Sequence, residues 1–273
     1  MRERRFGQVD VFGSEPLRGN PVAVVLDAEG LDSEAMARFS TWTNLSEAAF
    51  VLAPTAPGAD YRVRIFNLAT ELPFAGHPTL GTCHAWLAAN PGHRGDTVVQ
   101  ECGAGLVTVR REGQTLAFAA PPLIRGGPVD EDLVVRLADA LGLARDDVVD
   151  AQWADNGPGW VALLLKSAEA VLAVRPAYID AHIGLVAMHP DGSPEVRAVF
   201  PKEGAMVEDP VTGSLNASLA GWLIGAGRLE APYVARQGTV LGREGRVHVS
   251  RDPDGTIWVG GRTATCVSGS VSL

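Results

Sequence analysis

The stretch ELPFAGHPTLGTCHAWL, Glu71 to Leu87, joins a polar turn to an apolar helix, and it decides how the rest of the 273-residue chain is read. Leu80, Cys83, Trp86 and Leu87 recur at helical spacing, and Asn90, Pro91 and Gly92 stop the helix. Pro78 suits the first helical position, where its missing amide hydrogen has no partner to lose. The free amides of that first turn face Gly76 and His77, and the positive end of the helix dipole there favours a carboxylate or a developing oxyanion.

That stretch has an echo. EDPVTG, Glu208 to Gly213, matches ELPFAG, Glu71 to Gly76, at the Glu, the Pro and the Gly, an offset of 137 (208 − 71). Pro21 and Pro158 keep the same offset, each ahead of an apolar run, Val22 to Leu26 and Trp160 to Leu165. Gln100 and Gln237 keep it too, each ahead of a glycine-punctuated hairpin. The offset is about half the chain, so the repeat unit is a whole half-protein. The second helix, Ser214 to Ile224, has no charged face and has to be enclosed. Two enclosed helices that begin at His77 and Ser214 would bring their starts to a cleft between the halves, a favoured place for a small ligand.

Working outward, Gly7 to Phe12, Val22 to Leu26, Asn44 to Leu52 and Tyr61 to Phe66 read as strands, with a short helix from Ser33 to Trp42 capped by Ser33. Thr97 to Gln100, Gly105 to Arg111 and Thr115 to Ala119 read as a strand and a hairpin. Two clusters, Ala120–Pro121–Pro122 and Gly126–Gly127–Pro128, interrupt regular structure and set a boundary near residues 120 to 128. The expected domains are therefore 1–122, completed by a last strand over 263–273, and 129–262. The second half supplies a helix from Asp130 to Leu141, strands at Trp160 to Leu165, Gly184 to Met188 and Val196 to Phe200, and a short helix at Ser167 to Val174. After the apolar helix come strands at Tyr233 to Gln237, Arg246 to Ser250 and Ile257 to Val259. The class is α+β, two pseudo-symmetric halves, each mostly strands about one apolar helix.

Composition excludes several functions. With 46% hydrophobic and 20% charged residues the chain can bury a large core, and a net charge of −9 argues against a nucleic-acid surface. No run approaches a membrane span and the N-terminus lacks a signal-peptide apolar segment, so cytoplasmic residence is the default expectation. Three widely spaced cysteines, Cys83, Cys102 and Cys266, fit reduced thiols better than a disulfide frame or a metal site.

The chemistry gathered near such a cleft comprises carboxylates (Glu47, Asp209), one imidazole (His77), hydroxyls (Thr212, Ser214) and helix-start amides. These are the parts for proton transfer beside a stabilised anion. In NLSEAAFVL, Glu47 falls in phase with Leu45, Ala49 and Val51, where desolvation would raise its pKa toward that of a neutral-pH acid or base. Each residue also has a plainer reading: Glu47 as a strand-edge carboxylate, His77 and Ser214 as helix caps, Asp209 as a turn residue before Pro210.

Five segments in order resemble one family: GNPVAVVLD from Gly19, NLSEAAFVL from Asn44, RVRIF with ELPFAGHPTLG from Arg62, EDPVTGS from Glu208, and QGTVLGREGRV from Gln237. The chain is similar to the phenazine-biosynthesis isomerase-like family, a branch of the diaminopimelate epimerase fold. The resemblance implies two similar halves, each a mostly antiparallel β-barrel around a central helix, an active site between them, and a homodimer. It implies cofactor-free isomerisation of trans-2,3-dihydro-3-hydroxyanthranilate in the founding members. Glu47 then corresponds to the general acid/base that takes a proton from one ring carbon and helps return it at another. His77 and Asp209 correspond to residues that hold the substrate and assist proton movement. Gly76, Gly213 and Ser214 supply amide or hydroxyl contacts to its carboxylate, Thr212 is a further hydroxyl of the site, and Asn20 lies in a matching turn.

The epimerase branch needs two thiols, and the corresponding positions here are Ala75 and about Pro210. The expectation is thus an isomerase acting on a small carboxylic acid, with no cofactor, metal, nucleic acid or membrane partner. The alternatives are a racemase or epimerase without the thiol pair, and a non-catalytic small-acid-binding protein.

Overall fold

The computed structural model describes residues 1–68 and 70–273. Its contacts divide the chain into two compact units, Met1–Ala119 with Gly260–Leu273, and Ala120–Val259.

The first unit contains β1 (Glu3–Val11), β2 (Asn20–Val25), α1 (Ser33–Thr43), β3 (Glu47–Leu52), β4 (Tyr61–Asn67), β5 (Glu71–Leu72), α2 (Gly76–Ala89), β6 (Thr97–Cys102), β7 (Gly105–Glu112) and β8 (Thr115–Ala119). In the second unit follow β9 (Arg125–Pro128), α3 (Glu131–Leu141), β10 (Val148–Asp155), β11 (Trp160–Leu165), α4 (Ala168–Ala173), β12 (His182–Met188) and β13 (Pro194–Lys202). It continues with β14 (Ala205–Asp209), α5 (Gly213–Gly225), β15 (Tyr233–Gln237) and β16 (Gly245–Arg251). The last strand is β17 (Ile257–Ser272), whose residues from Gly260 onward belong to the first unit.

Strand pairing closes the first unit into a barrel, in the order β1-β2-β3-β4-β6-β7-β8-β17 and back to β1. β2 and β3 run parallel, with α1 as the crossover, and β4 and β6 run parallel across α2. β17 lies antiparallel to β1 from Glu3↔Ser272 to Val11↔Thr263. α2 packs on β1, β2, β3, β6 and β8, and its first turns are buried without a break from Gly76 to Cys83. Gly81 permits that approach, since a Cβ there would stand 2.3 Å from Val22 Cγ1.

In the second unit β9 pairs with β10, β10 with β11, β11 in parallel with β12, and β12 with β13. β13 carries the short strand β14 and also runs parallel to β15, which pairs with β16. α5 packs on β10 and β16 and buries Leu215, Asn216, Ala217, Ser218, Leu219, Ala220 and Leu223. A core of Val134, Leu137, Leu141, Leu163, Leu185 and Val199 binds α3 and α4 to the other side of these strands.

Local differences from the sequence reading have physical causes. The cap of α1 is Asp32, whose carboxylate accepts from the Ala35 amide at 2.8 Å, and Ser33 instead accepts from Arg64. α2 starts at Gly76 after the extended Ala75, so Pro78 is its third residue and His77 its second rather than its cap. α5 starts at Gly213 with Thr212 as N-cap, which places Ser214 inside the first turn. Strand β3 is covered on both faces, Ala48 and Phe50 by the α1 core and Ala49 and Val51 on the other side, so its alternation does not separate buried from exposed.

Candidate active site

Glu47 opens β3, Asn20 opens β2 and His77 lies in the first turn of α2, and the first unit brings the three side chains together. His77 Nε2 lies 3.4 Å from Glu47 Oε2, and Asn20 Nδ2 lies 3.5 Å from His77 Nδ1. Asn20 is fully buried and His77 nearly so, whereas the Glu47 side chain keeps 18% of its surface. Asn20 is delivered by a tight turn: the Gly19 amide donates to both oxygens of Asp10, and a Cβ at Gly19 would meet Val11 O at 2.1 Å.

Burial lowers the His77 pKa to about 3, with a backbone hydrogen bond to Pro21 opposing it only in part. The ring is therefore neutral at physiological pH, and its contact with Glu47 is a polar one between a neutral imidazole and a carboxyl group rather than an ion pair. A full positive charge beside Glu47 would hold its proton affinity down. Gly76, immediately before His77, is buried at the helix start, where Ala75 offers no side-chain cap.

The second cluster belongs to the other unit. Asp209 ends β14, and its Oδ2 accepts from the Thr212 hydroxyl at 2.6 Å. Ser214 accepts at Oγ from Trp160 Nε1 at 3.1 Å, and its carbonyl accepts from Asn156 Nδ2 at 2.9 Å. With one lone pair engaged by the indole, the Ser214 hydroxyl keeps its proton for donation. Trp160, Asn156 and Gln237 carry no chemical signal of a site in the sequence. Only Gln237 has a positional one, its place in the 137-residue echo.

The remaining titratable groups serve other purposes. Burial pushes the Cys83 thiol up to about 12, so it stays protonated. The His84 ring bonds the hydroxyls of Thr263 and Thr265, and His189 Nε2 contacts Glu195 at 2.8 Å. Glu71 and Glu208, the shared glutamates of the echoed motifs, each take a bidentate arginine: Arg64 at 2.7 and 2.5 Å, and Arg197 at 3.1 and 2.7 Å. They fix β5 and β14, the strands that lead into the two helix starts. Among the described residues no cluster of His, Cys, Asp and Glu is arranged to hold a metal ion.

A partly exposed carboxylate against a neutral imidazole, in a closed barrel about a buried helix, is a pair able to take up and release a proton, and this chain is an isomerase. The family model described as phenazine biosynthesis-like protein matches residues 9–269, and the chain belongs to that family. It is 35% identical to a trans-2,3-dihydro-3-hydroxyanthranilate isomerase of Pseudomonas aeruginosa, over 92% of this chain and 91% of that one. It is 34% identical to a protein called antisense-enhancing sequence 1 of Schizosaccharomyces pombe, over 98% and 99% of the two chains. Among solved structures, a predicted epimerase from Pseudomonas aeruginosa superposes with a TM-score of 0.84 at 29% identity, over 99% of each chain. A hydroxyproline epimerase from Agrobacterium vitis shares the fold at a TM-score of 0.64 and 12% identity, over 100% of this chain and 93% of that one.

Proposed function

We propose that the protein catalyses a cofactor-independent proton shift within a small carboxylic acid, of the kind its relatives named trans-2,3-dihydro-3-hydroxyanthranilate isomerase act on. In this reading Glu47 takes a proton from one carbon of the bound acid, becomes the carboxylic acid, and returns the proton at another carbon of the same conjugated system. Charge that develops on the substrate in between is held by hydrogen-bond donors fixed in advance. His77, uncharged, and Asn20 orient Glu47 and the ligand. Asp209 assists proton movement, while Gly76, Gly213 and Ser214 bind the ligand's carboxylate through amides and a hydroxyl; Thr212, expected beside them as a further ligand contact, gives its amide to Gln237 and its hydroxyl proton to Asp209 and so holds Asp209 instead. The enzyme works as a homodimer.

The observation that carries the reading is Glu47 with His77: a carboxylate with 18% of its side-chain surface open, 3.4 Å from an imidazole whose pKa of about 3 keeps it neutral. The two units are read as copies of one pseudo-symmetric design. Supporting this, both have the order parallel pair with crossover helix, short strand, buried helix, parallel strand, hairpin. A Glu47→Gln variant keeps size and hydrogen bonding but cannot take up a proton. Its turnover is expected to fall about 10²- to 10⁴-fold with the fold intact by circular dichroism, and full turnover would remove Glu47 from the mechanism.

A further inference from the structure

Gln237 ends β15 with its side chain fully buried, and every hydrogen-bonding position of its amide is used. Oε1 accepts from the Thr212 backbone amide at 3.0 Å and from Asn216 Nδ2 at 2.8 Å. Nε2 donates to Thr212 Oγ1 at 2.9 Å and to the Asp209 carbonyl at 3.3 Å. A backbone N–H can only donate, so the side facing Thr212 N is the oxygen and the NH2 is left facing the Thr212 hydroxyl. A hydroxyl that accepts from Gln237 keeps its own proton for another acceptor. That acceptor is Asp209 Oδ2, at 2.6 Å.

We propose that Gln237 is a positioning residue that acts through Thr212, fixing one oxygen of Asp209 and stabilising its ionised form. The proposal rests on the reading of Asp209 as a site residue. Thr212 is the N-cap of α5, yet its hydroxyl makes no cap bond. Threonine at that position ordinarily accepts from an amide of the first turn. Here the hydroxyl is turned away from its helix toward Asp209, and Gln237 is the group that turns it. The chain of donors, amide to hydroxyl to carboxylate, polarises in one direction and strengthens each link.

The first unit offers an internal comparison. Gln100, 137 residues earlier, is equally buried, but it donates to Thr79 Oγ1 at 3.0 Å and accepts from the Tyr61 hydroxyl at 3.0 Å. Position 75, which matches Thr212 by the same offset, is alanine. Gln100 thus anchors α2 to the barrel wall through Thr79, and the hydroxyl-to-carboxylate link of Thr212 with Asp209 belongs to the second unit.

The test is a carbon-13 carboxyl titration of Asp209 by NMR in the full chain, in wild type, Gln237→Met, Thr212→Val, the double variant and Gln100→Met. Gln237→Met and Thr212→Val are each expected to move the Asp209 midpoint upward, the double variant no further than Thr212→Val alone, and Gln100→Met not at all. In turnover of trans-2,3-dihydro-3-hydroxyanthranilate, Gln237→Met is expected to lower kcat about tenfold with KM little changed, the lower end of what losing a hydrogen-bonded supporting partner costs at metal sites. Thr212→Ser, which keeps the hydroxyl, restores both readouts. An Asp209 midpoint that stays put in folded Thr212→Val, or shifts that simply add in the double variant, would overturn the proposal. Thr212→Val decides it even where Gln237→Met does not fold. If the wild type exchanges no proton with the acid, the functional reading fails while the titration still judges the relay.

Discussion

At the scale of single residues, the charge state of His77 governs what Glu47 can do. The unfolded ring titrates near 6.5 and the buried one at about 3, so between those values the unfolded chain holds a proton that the native chain refuses. The stability contributed by neutral His77 is complete above about pH 6.5 and declines as pH falls toward 3. Chemical denaturation at pH 7, 5 and 4 should show a falling free energy of unfolding, and His77→Gln, although weaker at pH 7, should lose less between those points. Nitrogen-15 shifts of the His77 ring should stay those of a neutral imidazole down to about pH 4. A ring that titrates near 6.5 would restore an ion pair with Glu47 and a different mechanism. Much of this cluster is legible in the sequence: Glu47 stands out by falling in phase with apolar neighbours, and His77 by following a glycine at a helix start. The Gln237 relay is not, because it depends on β15 returning beside the start of α5, a tertiary fact that no local pattern encodes.

At the scale of elements, the two arginine–glutamate clamps hold the short strands that aim the helix starts. Arg197 is the more deeply buried: besides Glu208 it donates to the Val171 and Val174 carbonyls at the end of α4, both at 2.9 Å. Arg197→Met leaves the Glu208 carboxylate buried without its clamp, and the expected loss is about 3–5 kcal/mol in urea unfolding. Arg197→Met with Glu208→Met should lose distinctly less, because no unmatched charge remains. Equal losses would mean that the arginine acts through its α4 contacts alone. The apolar helices and most strands are readable from periodicity. β5, β9 and β14 escape it because they are two to five residues long, and β10 because its middle residues, Asp150 to Trp153, are all half-buried and show no alternation. Ser33 loses the cap of α1 to Asp32, one residue earlier, since either side chain can reach the first-turn amides and position alone does not choose between them.

For the whole molecule, closure of the first barrel depends on its last strand. β17 pairs with β1 through Thr263 to Ser272, while its Gly260 lies against Leu116 and Ala117 of β8, so a chain ending at residue 262 opens the ring and bares the edge of β1. Such a truncation should lose the dispersed NMR spectrum of the first unit and aggregate, and a well-folded product would show that the ring does not need its closing strand. The 137-residue echo marks two buried helices and their polar starts within the amino-acid sequence itself. It does not convey which hydroxyls, amides and indoles hold those starts, since Trp160, Asn156 and Gln237 reach them from strands and loops distant in sequence. The account as a whole stands on one claim, that Glu47 carries a proton between two carbons of a small acid without help from a cofactor. The direct measurement is proton NMR of trans-2,3-dihydro-3-hydroxyanthranilate incubated with the enzyme in deuterated water, beside the Glu47→Gln variant. The wild type is predicted to consume the acid and, because the Glu47 carboxyl keeps 18% of its surface open and exchanges its proton with solvent before returning it, to place deuterium at a single ring carbon, and the variant to do neither. A wild type that neither consumes nor exchanges it, or a variant that does both at the full rate, would contradict the account.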